Sequence, residues 1–215
     1  MLKIAGEPNR LVSKSQKGQD ISAVRWMRVC GFMNRVAVEF GARDGFMGSN
    51  VRMLKRQLGF KLFQWDRDFE NAEVRRETID AENVNEVFRR HAVPERFDFL
   101  SIDIDGNDYW VWKSLEWQPN VVCIECNTNL PPSVPVALSY NPKNSWRGDV
   151  GYGASFAAYK GLGESKGYHL CEVVFNDLIF VRKEFLSDAQ LSSVVVPNYP
   201  IKLHRQEGYE RFVPV

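Results

Sequence analysis

Nowhere does this 215-residue chain hold an apolar run approaching the roughly 20 residues that span a bilayer. Residues 1–31 are interrupted by Lys, Arg, Glu and Asp and contain no apolar core of the kind that marks a secretory leader, so a cytoplasmic protein with no membrane partner is expected. No long basic run exists either: 28 Lys and Arg against 27 Asp and Glu leave a formal charge of +1, which gives nucleic acid no electrostatic reason to be the partner. Cysteine is scarce, with 4 copies. Cys123 and Cys126 imitate a C-x-x-C, but they sit in the strand-like run VVCIEC with no second pair, so they read as buried thiols in a reducing compartment. The 3 histidines, His91, His169 and His204, share no spacing that a metal or a triad would require, and His204 reads as a surface residue.

What is present is alternation. Short apolar runs take turns with helical segments, which predicts an α/β sheet with helices on both faces. Strands are expected over residues 36–42 (VAVEFGA), 61–66 (KLFQWD), weakly over 77–79, then 97–105 (FDFLSIDID), 120–127 (NVVCIECN), 168–175 and 177–183. The last two are joined by a tight turn at Asn176-Asp177. Helices are expected over 21–32, from Ser49-Asn50 to Gly59, over 69–76, 84–91 and 108–115, and from 154 onward. Asn83 is placed to cap the helix that follows it. All 215 residues read as one domain, with an amino-terminal helical segment over 1–33 and a long loop over 128–150 that lines the second-substrate side.

Ligands of an open parallel sheet bind beyond the carboxyl ends of its strands. Here those ends are acidic: Glu39, Asp66, Asp103, Asp105 and Glu125, with Asn127 beside them. A carboxylate inside a doubly covered strand is costly unless it is hydrogen-bonded or faces a cation, so several converging ones ask for a cationic or hydroxyl-rich ligand. S-adenosylmethionine, with its sulfonium, ammonium and ribose diol, meets that demand. Gly41, Ala42 and Gly45 form a turn that lets backbone approach the methionine moiety. Asp66 is placed to accept from the ribose, Asn50 opens the helix after the turn, and Asp80 lies where adenine would pass. A nicotinamide-dependent oxidoreductase is the rival, but it wants G-x-G-x-x-G and Arg43 stands in the place of the middle glycine.

Taken together, VAVEFGARDGFMGSNVRML, DAENVNEVF, FDFLSIDIDGNDYWVWKSL, VVCIECN and GASFAAYKGLGESKGYHL resemble the FkbM-type methyltransferase-like family over roughly residues 36–183. That resemblance implies a Rossmann-like class I methyltransferase fold, with a seven-stranded, mostly parallel sheet whose last strand is antiparallel. It also implies methyl transfer from S-adenosylmethionine, typically to oxygen. Arg43 departs from the glycine that many methyltransferases carry there, which raises a second reading: a binding protein that keeps the fold without turnover.

Asp105, Glu125 and Asn127 are candidates for a hard cation such as Mg²⁺, with side chains two apart on a strand sharing a face. Without a metal, Asp105 and Glu125 are the candidate base and orienting group, while Asp103 belongs with the donor. The segment KSQKGQD and the loop with Asn141, Trp146 and Arg147 suit a sugar-like or other hydroxylated acceptor.

Overall fold

The computed structural model describes residues 11–144, 146–197 and 207–215; His204 lies outside them. Nine strands are found there: β1 (Val36–Phe40), β2 (Lys61–Asp66), β3 (Val74–Arg76), β4 (Arg96–Ile102), β5 (Gln118–Glu125), β6 (Val136–Leu138), β7 (Tyr168–Val174), β8 (Asp177–Arg182) and β9 (Phe212–Pro214). Seven of them form one twisted layer in the order β3-β2-β1-β4-β5-β8-β7. The first five pair in parallel, and β8 runs antiparallel to both of its neighbours. This is a Rossmann-like α/β architecture. Strands β6 and β9 make a separate two-stranded antiparallel ribbon.

Burial on both faces explains why the central strands read as continuous apolar runs. Val38, Phe40, Leu100, Ile102, Val122, Ile124 and Phe180 face one side. They are covered there by α3 (Val84–Arg90), α4 (Asp108–Ser114) and α5 (Phe156–Ser165) through Val87, Phe88, Trp112, Tyr159 and Leu162. Ala37, Phe99, Val121, Cys123, Ile179 and Val181 face the other side, under α1 (Gln19–Cys30) and α2 (Arg52–Leu58), which contribute Val24, Met27, Met53 and Leu54. All four cysteines are free thiols, and burial pushes Cys30 and Cys171 up to about 12. No helix among the described residues is long and apolar enough to cross a membrane.

Several boundaries differ from the sequence expectation, each for a local reason. Residues 69–76 form no helix, and the third strand is Val74–Arg76 rather than 77–79. Asn71 is the cause: its Oδ1 accepts from the amides of Glu73 and Val74, an Asx turn that competes with helix. Strand β4 stops at Ile102 instead of 105, because the Asp108 carboxylate takes the amides of Ile104 and Gly106 and bends the chain away. The β7–β8 turn is Phe175-Asn176, with Phe175 at φ 60°, one residue earlier than expected. Asn83 does not cap α3 with its side chain; its Oδ1 accepts from the Asp80 amide, while Asp80 takes the amides of Glu82 and Asn83. The 128–150 loop contains β6, which pairs with β9 far along the chain.

Two glycines of α5 separate propensity from packing. A methyl group at Gly161 meets nothing within 4 Å, whereas one at Gly163 would lie 2.6 Å from Phe180 Cε1 and 3.2 Å from Trp112 Cη2. Gly161→Ala is expected to raise the unfolding free energy by roughly 0.5–1 kcal/mol through helix propensity. Gly163→Ala is expected to lower it by roughly 1–3 kcal/mol through overpacking. Urea unfolding of the two variants reads both signs; a stabilised Gly163→Ala would contradict the α5–β8 packing.

Candidate functional site

The turn after β1 is set by a close approach. Gly41 has φ 70°, and a Cβ built on it would overlap the carbonyl oxygen of Asp103. Only glycine lets the β1 end lie this close to the β4 end. Ala42 donates to the Trp65 carbonyl at 3.2 Å and accepts from Gly45 at 2.8 Å, which closes the turn. Gly45 serves packing rather than the cavity: a methyl there would stand 2.9 Å from Val74 Cγ2.

Glu39 lies beneath this turn. Its carboxylate accepts from Ser49 Oγ at 2.8 Å, the Asn50 amide at 2.7 Å and Gln64 Nε2 at 2.9 Å, so it ties β1 to β2 and to the start of α2. Burial pushes its carboxyl up to about 7, against the opposing pull of those three hydrogen bonds. Asn50 Nδ2 donates to Ser101 Oγ at 2.9 Å, which fixes the α2 entry to β4.

Above the turn a cavity of about 560 Å³ opens at the carboxyl ends of β1, β2, β4 and β5. Its lining includes Gly41, Asn50, Asp66, Asp103, Asp105 and Glu125 from the sequence-derived set. Asp66 accepts from the amides of Asp68 and Phe69 on Oδ1 and from that of Arg43 on Oδ2 at 2.7 Å. A carboxylate offers about four lone-pair sites, so one remains on Oδ2 for a ligand. Thr78 and Ile79, not Asp80, reach the cavity, since Asp80 is spent on the amides that begin α3. Trp65 also lines the cavity, and its indole N–H is buried without a protein partner.

Carboxylates converge at the β4 and β5 ends. Oxygens of Asp103, Asp105 and Glu125 lie within 4.8 Å of one another. The convergence comes from a loop rather than from strand alternation: Asp103 and Asp105 follow the end of β4, and Asp105 sits at φ 53°. Burial, then the nearby Glu125 and Asp105, hold the Asp103 carboxyl well above the usual range. Asn127 does not join them. Its Nδ2 donates to the carbonyls of Val150 and Tyr152, and its Oδ1 accepts from Asn129, so it pins a loop where a ligand had been expected. Asp108, which sequence reading took only as a helix start, shapes this loop, and burial pushes it up to about 6.

The far wall of the cavity is assembled from distant pieces. Asp149 is its hub: its carbonyl accepts from Trp146 Nε1 at 2.8 Å, and its Oδ1 accepts from the Gly151 amide at 2.9 Å and from Arg211 Nη2 at 2.6 Å. The Arg211 guanidinium occupies space that a Cβ at Gly151 or Gly208 would fill. Trp146 and Tyr152 line the cavity beside it, in edge contact with centroids 6.3 Å apart. Across from them Gln16 and Gln19 enter from the amino-terminal side, where Gln19 Nε2 donates to Asp177 Oδ2 at 2.6 Å. Asp20 holds that segment by accepting from Ser13 Oγ, the Lys14 amide, the Ser15 amide and Ser15 Oγ.

Sequence reading missed Asp177, Tyr152 and Arg211. Asp177 was findable once β8 is set beside β5, because it pairs with Glu125 in register. Arg211 left no local signal. Compared with protein-family models the chain matches none, and no curated protein sequence matches it.

Glu39 makes the site pH-sensitive in stability. Between the ordinary 4.5 and about 7 the folded chain keeps a proton that the unfolded chain releases, so stability falls as pH rises through that window. Asp108 acts with the same sign. Glu39→Gln is expected to flatten the fall by on the order of 1–3 kcal/mol in urea unfolding compared at pH 5 and pH 8. Equal losses in the variant and the wild type would show that Glu39 does not titrate there.

Proposed function

We propose that this chain is an S-adenosylmethionine-dependent methyltransferase, similar to the FkbM type, that methylates an oxygen of a hydroxylated small molecule or glycan. The observation that carries the reading is the cavity at the strand ends, floored by the Gly41–Asp103 contact and flanked by Asp66. The strand order, with an antiparallel strand between β5 and β7, agrees with the fold that the sequence resemblance implies. The lining fits the donor. Its volume is in the range of small-molecule sites, seven carboxylates against two arginines among the described lining residues favour a cationic ligand, and Trp65 holds a buried, unpartnered donor.

The donor supplies a methyl group on a sulfonium, activated toward nucleophiles. The protein's contribution is chiefly alignment. Gly41 would give the methionine moiety backbone access, the open lone pair of Asp66 would accept from a ribose hydroxyl, and Thr78 and Ile79 would border the adenine. An acceptor hydroxyl that attacked that methyl, with the thioether as leaving group, would give its proton to the Asp105–Glu125 pair, where Asp103 completes the acidic group. The same three carboxylates fit a hard divalent cation; they would hold it, and it would acidify the acceptor hydroxyl. Donor binding without turnover is the second reading, favoured by Arg43, which lines the cavity from a φ of 48°.

Calorimetry with S-adenosylmethionine and S-adenosylhomocysteine tests the donor. Both are expected to bind, and Asp66→Ala is expected to weaken them by about tenfold or more. No heat with either ligand would end the proposal. Magnesium titrated alone tests the cation: it is expected to bind the wild type and to lose most affinity in Glu125→Gln. Equal binding by the two would take the metal away from this cluster.

A further inference from the structure

A second cavity, of about 420 Å³, opens at the opposite end of the sheet, and its volume also falls in the range of small-molecule sites. Strand pairing places it there. Tyr168 at the start of β7 donates its hydroxyl to the Pro119 carbonyl at the start of β5, at 2.7 Å, and His169 and Leu170 line the cavity just after it. The acidic cavity lies instead beyond Glu125, where β5 ends, and no described residue lines both. The remaining walls are α5 at Lys160 and Glu164, Lys183 just after β8, and the chain that leaves α6 (Asp188–Leu191).

Charge here has the reverse sign: two lysines stand against one glutamate among the described lining residues. Glu164 reaches Lys160 at 3.9 Å with both side chains about half exposed, a pair worth little in water. Lys183 makes no ion pair among the described residues. His169 Nε2 is buried with no hydrogen-bond partner among them. A buried ring nitrogen left in that state calls for a partner, and an imidazole can supply either a donor or an acceptor. Beside these groups the lining is apolar. Leu170 belongs to the core, Val195 packs against it, and Val194 is 80% exposed. A wholly polar anion would leave that hydrocarbon in water, and a neutral ligand would gain nothing from the lysines. An anionic head with a short apolar tail uses both.

We propose that this cavity is a second binding site, for a small amphipathic anion whose carboxylate or phosphate head meets Lys160, Lys183 and His169 while its hydrocarbon covers Leu170, Val194 and Val195. The site is independent of the methyltransferase reading.

Saturation-transfer NMR and thermal unfolding of the full chain test this with four probes: octanoate, octyl phosphate, octanamide and inorganic phosphate. At least one of the two amphipathic anions is expected to bind and to raise the melting temperature, as a ligand of the folded state does. Whichever binds more tightly identifies the head group. Octanamide and inorganic phosphate are expected to bind at least about tenfold more weakly. Lys183→Ala is expected to weaken the anion by about tenfold and leave octanamide unchanged, with Lys160→Ala acting in the same direction. Glu164→Gln should strengthen the anion, because it removes a like charge. His169→Ala should weaken it and His169→Gln recover part of the loss, with far-ultraviolet circular dichroism reporting that each variant is folded. Neither anion bound, octanamide or inorganic phosphate bound equally well, or Lys183→Ala and Lys160→Ala both without effect would each overturn the proposal. Displacement of the anion by S-adenosylhomocysteine would also overturn it, by moving the anion to the acidic cavity.

Discussion

The cavity owes its shape to a contact between a backbone carbonyl and a side chain that is not there. Gly41 lets the end of β1 lie against the Asp103 carbonyl, and a single added carbon would force the two strand ends apart. That closeness brings the glycine turn, the acidic loop after β4 and the carboxyl end of β2 around one space. Beneath it Glu39 supplies the counterpart, binding β2 and the α2 entry to β1 through one buried carboxyl. The floor is therefore built by short-range fit on one side and by a costly buried acid on the other. A buried acid satisfied from three directions is an expensive way to hold a turn, and it also specifies one arrangement.

The acidic loop follows a different rule. Asp103 is held beside Asp105 and Glu125 although both raise the cost of ionising it. Asp108 makes that possible by capturing two amides of the loop and fixing its bend before α4 begins. The resulting group is strained electrostatically and ordered geometrically, the combination that functional sites use to shift protons or hold cations.

Much of the fold was legible because its strands are buried on both faces and its helices carry apolar stripes. The strong runs around Val38, Leu100 and Val122 became strands, and Gly59 ended α2 with φ 70° as a C-cap glycine should. Errors came where a side chain competes with the backbone. Asn71 turned an expected helix into a turn and a short strand, and Asp108 shortened β4. In the site, Gly41, Asn50, Asp66, Asp103, Asp105 and Glu125 do reach one cavity, because strand ends are readable. Asn127 and Asp80 make loop hydrogen bonds instead of lining the cavity, since their types suit both ligand and loop and only geometry separates the two uses. The Trp146 wall was half legible: an aromatic in a long loop draws notice, but nothing near it announces Arg211.

That distant arginine has a consequence for how the molecule is made. Ser139 and Arg211 meet through a bond that spans 72 residues, and β6 waits on β9 for its partner strand. During synthesis the parallel sheet and the glycine turn emerge well before the wall that faces them. The glycine-turn side of the cavity is thus built from residues close together in the sheet, while the wall that faces it needs Asp149 and Arg211, 62 residues apart. Closing the cavity therefore depends on long-range contacts that the local order of the sheet does not supply.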